Sequence, residues 1–187
     1  MTRILGIAGS LRQGSCNAAL LRAAAQVAPP GTQIDIGSIA GIPLYDGDLE
    51  SEHGIPDAVG RLKEQIAAAG ALVLVTPEYN NSMPGVLKNA IDWLSRPAKD
   101  IQRVFGDKPV AILGATPGPG GTRLSQSAWL PVLRTLGTRL WTGKQLYVAG
   151  AAQVFDAEGK LIDDKIRKLL TDFIAGFAKF VDAAPAR

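Results

Sequence analysis

The sequence predicts a doubly wound α/β fold, a parallel sheet with helices on both faces. Short apolar runs alternate with longer stretches of helical periodicity along the chain, which is the βαβ pattern. Two runs, ALVLV (71–75) and PVAILGA (109–115), are almost continuously apolar, as strands buried on both faces must be. At 187 residues and 47% hydrophobic composition, the chain can bury one sizeable core, so a single domain over 1–187 is expected.

Each element follows in order. RILGIA (3–8) reads as the first strand, residues 17–27 as the first helix and QIDIGSI (33–39) as the second strand. Residues 56–69 are helical because Val59, Leu62 and Ile66 share one face. ALVLV is the third strand, 86–95 the next helix and 109–115 the fourth strand. Residues 124–136 form a helix that Pro131, which lacks an N–H and clashes with the preceding turn, should kink or interrupt. A last strand is expected near 144–149. In the final helix Ile162, Ile166, Leu169, Phe173, Phe177 and Phe180 recur at helical spacing, which is an ordinary buried stripe rather than a cofactor-binding aromatic cluster. The longest irregular connection is 38–56, and such length is often functional.

Composition excludes several classes of function. The formal charge of +3 is not gathered into a basic cluster, so nothing points to nucleic acid. One cysteine, Cys16, and one histidine, His53, rule out a disulfide framework, a cysteine metal cage and a multi-histidine site. His53 lies in a polar loop and reads as solvated. The N-terminal apolar run is too short for a signal peptide, and no stretch approaches the ~20 apolar residues of a membrane span. A cytoplasmic protein without a membrane partner is expected.

Ligands of such folds bind beyond the carboxyl ends of the strands, and three loops there carry chemistry. GSLRQGSCN (9–17), after the first strand, lacks both the G-x-G-x-x-G and the Walker A patterns. It offers the hydroxyls of Ser10 and Ser15, the guanidinium of Arg12 and the amide of Asn17 at a helix N-terminus, where N–H groups are unpaired. That set suits a terminal phosphate monoester. Plain capping by Ser15 or Asn17 needs only one of these four groups. In the second loop Pro77 ends the strand, and Glu78, Tyr79, Asn80 and Ser82 combine an aromatic face with donors and acceptors, as a planar heterocycle requires. Pro84 fits the first turn of the next helix, with Ser82 or Met83 before it as cap. The alternative is a structured turn with Tyr79 packed inside it. The third loop, ATPGPGGTR (115–123), has glycines at 118, 120 and 121 that let backbone approach a ligand. Asp35 stands where a Rossmann protein holds a ribose, but the glycine fingerprint is missing. Cys16 has neither a base nor a resolving cysteine and reads as structural.

Together, GSLRQGSCN and PEYNNSMPGVLKNAIDWLSRP (77–97) resemble the NAD(P)H-dependent FMN reductases, whose members include bacterial quinone, chromate and azo reductases. The likeness runs from the first strand through GATPGPGGTR (114–123). It implies a flavodoxin-like five-stranded sheet of order 2-1-3-4-5. It implies that Ser10, Arg12, Ser15 and Asn17 hold the FMN phosphate, with Leu11 and Cys16 counted in the same cofactor-binding loop. Pro77, Glu78, Tyr79 and Asn80 would line the isoalloxazine with Ser82 close by. Thr116, where relatives often have serine, would touch its other side. NADPH or NADH would donate hydride in a ping-pong cycle, and a quinone-like small molecule would accept the electrons. Chromate, azo compounds and free flavin are further acceptors. No side-chain acid or base is required, so no catalytic residue is assigned. The competing readings are a flavin reductase that feeds reduced FMN to an oxygenase and a flavodoxin-like electron carrier. The NAIDW helix, with Trp93, Arg96 and Pro97, would face a neighbouring subunit in a homodimer or homotetramer.

Overall fold

The computed structural model describes residues 1–183. Its parallel sheet contains β1 (Thr2–Ala8), β2 (Thr32–Gly37), β3 (Ala71–Val75) and β4 (Pro109–Ala115). Two short strands, β5 (Arg139–Leu140) and β6 (Tyr147–Val148), share the position beyond β4. The order is β2-β1-β3-β4-β5, with β6 also on β4, as the sequence leads one to expect. Ile7 stands beside Leu74, and Leu74 beside Ile112. The helices are α1 (Cys16–Gln26), α2 (Gly47–His53), α3 (Asp57–Ala68), α4 (Gly85–Leu94), α5 (Ile101–Val104), α6 (Arg123–Thr135), α7 (Ala151–Val154) and α8 (Asp164–Asp182).

Strand side chains alternate between faces, so each side of the sheet has its own core. On one side Ile4, Val73, Val75 and Leu113 meet Leu20 and Leu21 of α1 and Phe173 and Phe177 of α8. On the other, Leu5, Leu72, Leu74 and Val110 meet Leu62 of α3, Leu87 and Trp93 of α4 and Trp129 of α6. Each such side chain, fully removed from water, contributes about 1.5–3 kcal/mol. The phenylalanines of α8 and Ile166 are therefore in or against the core, as their spacing predicts, whereas Leu169 is 43% exposed and Ile162, 52% exposed, lies before the helix. Among the described residues no helix is long and apolar enough to cross a membrane.

Four expectations are corrected. The strand expected at 144–149 pairs only at Tyr147 and Val148, and the edge is resumed from Arg139–Leu140; Gly143, Lys144 and Gln145 between them have low strand preference. Pro131 does not interrupt α6, which continues through it to Thr135. The proline is on the solvent face, where the carbonyl it leaves unpaired can be hydrated. The cap before α4 is Pro84 itself, and the helix starts at Gly85.

The fourth correction concerns α4 and the 38–56 connection, which contains α2 with Asp46 as its cap. Trp93 faces inward and is fully buried in its own chain, so it is not a subunit-contact residue. Its indole Nε1 donates to the Pro43 carbonyl at 3.0 Å. Asn89 donates to the same oxygen at 2.8 Å and accepts from the Tyr45 N–H at 2.8 Å. The Tyr45 ring stands edge-on to Trp93, its hydroxyl donates to Glu50, and Arg96 pairs with Glu50 at 2.8 Å. The connection is thus strapped along α4, leaving Leu44 at its tip 83% exposed.

Candidate functional site

Because β1, β3 and β4 are adjacent and parallel, the loops that follow them emerge side by side at one sheet edge. The Gly9 N–H donates to Val75 O and the Thr76 N–H to Leu113 O, at 2.8 and 2.9 Å, so the ladder continues into both loops. Two glycines permit the close approach. A Cβ at Gly9 would lie 2.8 Å from Leu87 and 3.0 Å from Pro77, and one at Gly114 would lie 2.1 Å from the Thr76 carbonyl. The first loop thus packs against Pro77 and α4, and the end of β4 against Thr76, with no room for a methyl group at either place.

In the first loop Ser15 is the N-cap of α1, its Oγ accepting from the Ala18 N–H at 3.2 Å. The N–H groups of Cys16 and Asn17 have no intrahelical acceptor, and no acidic residue stands in the first turn of α1 to offset their partial positive charge. Arg12 is exposed and enters no ion pair among the described residues. The Ser10 Oγ accepts weakly from the Arg12 N–H, two residues on, at 3.4 Å. Leu11 is 55% exposed and Cys16 is half-buried. Asn17 behaves differently from expectation. Its carboxamide is buried and bonded at both ends to one residue, Nδ2 to Ala115 O at 2.8 Å and Oδ1 to Ala115 N at 2.9 Å. It pairs with β4 as a strand residue would, and what it leaves for an anion is its backbone N–H.

The second loop is a hairpin. Tyr79 and Ser82 exchange both backbone hydrogen bonds, at 3.1 and 3.0 Å, around Asn80 (φ 50°) and Asn81 (φ 60°). Positive φ at both central residues is the type I′ geometry that asparagine tolerates. Asn-Asn was the sequence signal for this turn. Tyr79 is not packed inside it but stands 44% exposed. Beneath it Thr76 is fully buried. Its Oγ1 accepts from Trp129 Nε1 at 3.1 Å, meets Ser125 Oγ at 2.8 Å and donates to the Pro77 carbonyl at 3.0 Å. The Glu78 carboxylate accepts from the N–H groups of Leu124 and Ser125, so that side chain caps α6.

The third loop begins at Thr116, whose N–H donates to Val148 O and whose carbonyl accepts from the Ala151 N–H. Its Oγ1 accepts from the Gly118 N–H at 3.4 Å. The positive φ of Gly121, 64°, brings the loop against Tyr147, over whose ring the Arg123 guanidinium lies at 5.3 Å. Asp35, on β2, plays no part here, since it accepts from Arg3 of β1 and from Gln33 of its own strand.

The edge therefore presents uncompensated helix N–H groups and, after β1, a guanidinium in no ion pair among the described residues, and an exposed aromatic ring on a hairpin after the neighbouring β3. A ligand with a phosphate at one end and a planar ring at the other fits that donor set. The family model for NADPH-dependent FMN reductase matches residues 2–153, which takes in all three loops. The chain belongs to this family. An NAD(P)H-dependent FMN reductase of Pseudomonas aeruginosa is 48% identical over 168 residues, covering 90% of this chain and 89% of the relative. A 2-hydroxy-1,4-benzoquinone reductase from a Burkholderia species is 41% identical over 179 residues, 96% of both chains. Among solved structures, the flavoenzyme NAD(P)H:(acceptor) oxidoreductase FerB from Paracoccus denitrificans superposes with a TM-score of 0.86 at 32% identity, over 97% of this chain and 98% of that one. This FMN reductase is an oxidoreductase dependent on FMN and NAD(P)H.

Proposed function

We propose that this FMN reductase is an NAD(P)H:quinone oxidoreductase acting in the cytoplasm as one FMN-binding domain over residues 1–187. The observation that carries the reading is the juxtaposition at one sheet edge of the acid-free α1 N-terminus, with Arg12 beside it, and the exposed Tyr79. Ser10, Leu11, Arg12, Ser15 and the backbone of Cys16 and Asn17 hold the phosphate. Pro77, Glu78, Tyr79, Asn80 and Ser82 line the ring on one side, with Thr116 on the other. Bound there, FMN supplies two-electron transfer from the nicotinamide to the acceptor. The work of the chain is to bind and orient. The N–H groups and Arg12 offset the phosphate charge, and Tyr79 offers its face to a flat acceptor or nicotinamide. No side chain is assigned as acid or base, and none is needed where the cofactor carries the chemistry.

The acceptor class draws its support from relatives named for quinones, including the Burkholderia reductase above and a quinone reductase of Escherichia coli that is 37% identical over 182 residues. Chromate and azo compounds are further acceptors in this reading. A homodimer or homotetramer is proposed to form through the groove between α4 and α6, whose accessible lining includes Lys88, Asp92, Ile101, Pro131 and Val132, rather than through the buried Trp93. Sedimentation of the purified protein tests the assembly.

The decisive assay mixes protein, FMN and NADPH or NADH without oxygen and follows the flavin absorbance. Bleaching, then recovery on adding a benzoquinone, is expected; absorbance that never falls overturns the proposal. Arg12→Ala with Ser15→Ala should lower the flavin retained after purification while far-UV circular dichroism stays unchanged. Full retention would remove the phosphate from this loop.

A further inference from the structure

The carboxylate of Glu78 makes a contact that no local rule of sequence requires. Helix α6 starts after Thr122, and Thr122 makes no side-chain cap bond to it. The missing acceptor comes from the second loop: one oxygen of Glu78, Oε2, accepts from Leu124 N–H at 2.9 Å and from Ser125 N–H at 3.0 Å. The partners lie 46 and 47 residues apart in sequence, so this cap is a tertiary tie. The same Ser125 meets Thr76 through its hydroxyl, on the residue directly before Pro77. The hairpin and the start of α6 are therefore joined twice, once in the buried layer and once at the surface.

We propose that Glu78 is a positioning residue for the flavin ring. Its carboxylate locks the Pro77–Ser82 hairpin to the N-terminus of α6, so that the backbone meant for the ring is held in one place before any ligand arrives. The inference rests on the FMN site proposed above. Glu78 does not act as a ring ligand through its carboxylate, because that group is already engaged. It acts through Leu124 and Ser125, and the backbone of residues 77–80 is what it presents. Since both bonds end on a single oxygen, the amide oxygen of a glutamine in the same rotamer can accept both. An alanine can accept neither.

The test compares Glu78→Ala with Glu78→Gln by amide hydrogen exchange on the FMN-free protein and by FMN titration. In Glu78→Ala, exchange at Leu124, Ser125 and the hairpin amides of Tyr79 and Ser82 should rise together, and FMN should bind about tenfold more weakly, the scale of a lost helix cap. Glu78→Gln should restore protection in both segments and bring affinity to within about threefold of wild type. Two results overturn the proposal: unchanged protection at Tyr79 and Ser82 in Glu78→Ala, or Glu78→Gln as impaired as Glu78→Ala. Should the alanine variant fail to fold, Glu78→Asp, whose shorter carboxylate falls short of α6, replaces it in the same comparison. Wild-type protein that takes up no FMN would count against the proposed function, while the exchange pattern would still decide the tie.

Discussion

Removing the Asn17 carboxamide should unseat the end of β4 before any ligand is involved. In Asn17→Ala both the N–H and the C=O of Ala115 lose their partner, and Ala115 is only 1% exposed. Each buried backbone group left unpaired costs about 1–3 kcal/mol, so the variant should lose about 2–6 kcal/mol in all. That is a large share of the roughly 5–15 kcal/mol that holds a domain together. Asn17→Asp is the sharper variant. It still accepts from the Ala115 N–H, but it turns a second oxygen toward the Ala115 carbonyl. The neutral carboxyl is then favoured in the folded state, which raises its folded-state pKa. The deficit should be smallest in acid, where a protonated carboxyl can donate, and should grow as pH rises through that folded-state pKa. Urea unfolding of FMN-free protein at several pH values measures both effects. If Asn17→Ala unfolds within about 0.5 kcal/mol of wild type, the scale of an ordinary surface substitution, yet loses FMN, the side chain belongs to the phosphate and the clamp reading is wrong.

Thr76→Val should strand Trp129 Nε1 and the Ser125 hydroxyl, lowering stability by about 2–4 kcal/mol in a denaturant titration; a loss under 1 kcal/mol would mean the network relaxes. Trp93→Phe keeps an aromatic ring but removes the indole N–H donor to the Pro43 carbonyl, which Asn89 still serves, and part of a fully buried side chain. Stability should fall by about 2–4 kcal/mol, the lost bond plus the cavity, and proteolytic cutting within 44–54 should quicken. Unchanged cutting would show that the strap does not depend on that bond. The buried Lys63 ammonium donates to Asp100 at 2.6 Å, and that bond holds the Asp100 carboxyl below its ordinary value. A depressed folded-state pKa gives stability that is present above the ordinary carboxylate range and is lost as pH falls through the folded value. Asp100→Asn should therefore flatten the acid limb of stability below about pH 4; an acid limb as steep as wild type would assign it to other carboxylates.

The parallel sheet was legible because a strand buried on both faces must be apolar at every position, and ALVLV and PVAILGA are. The proposed site is read at the level of loops, from polar residues and glycines after three strands and the aromatic Tyr79 after β3. The roles of single side chains were not legible. Asn17 and Glu78 each look like ligand-binding groups in sequence, yet both serve backbone atoms, 98 and 46 residues away. A hydrogen bond to backbone leaves no mark at the distant residue, because every residue offers the same atoms. Trp93 shows the same limit. Helical spacing reveals that it lies on a helix, but its partner, the Pro43 carbonyl, is 50 residues upstream. The divided strand beyond β4 escaped because two residues at a time carry too little periodicity to read.

Leu44 offers a last consequence. The carbonyl before it and the N–H after it are both fastened to α4 through Asn89 and Trp93, so the backbone on either side is already tied down. The conformational entropy of ordering this segment, about 1–2 kcal/mol per residue, was given up during folding and is not charged again when something covers the leucine. A molecule that buries this side chain gains its transfer free energy, about 1.5–3 kcal/mol, without the ordering term that a loose loop would subtract. At this corner of the molecule, exposure is a preorganised state.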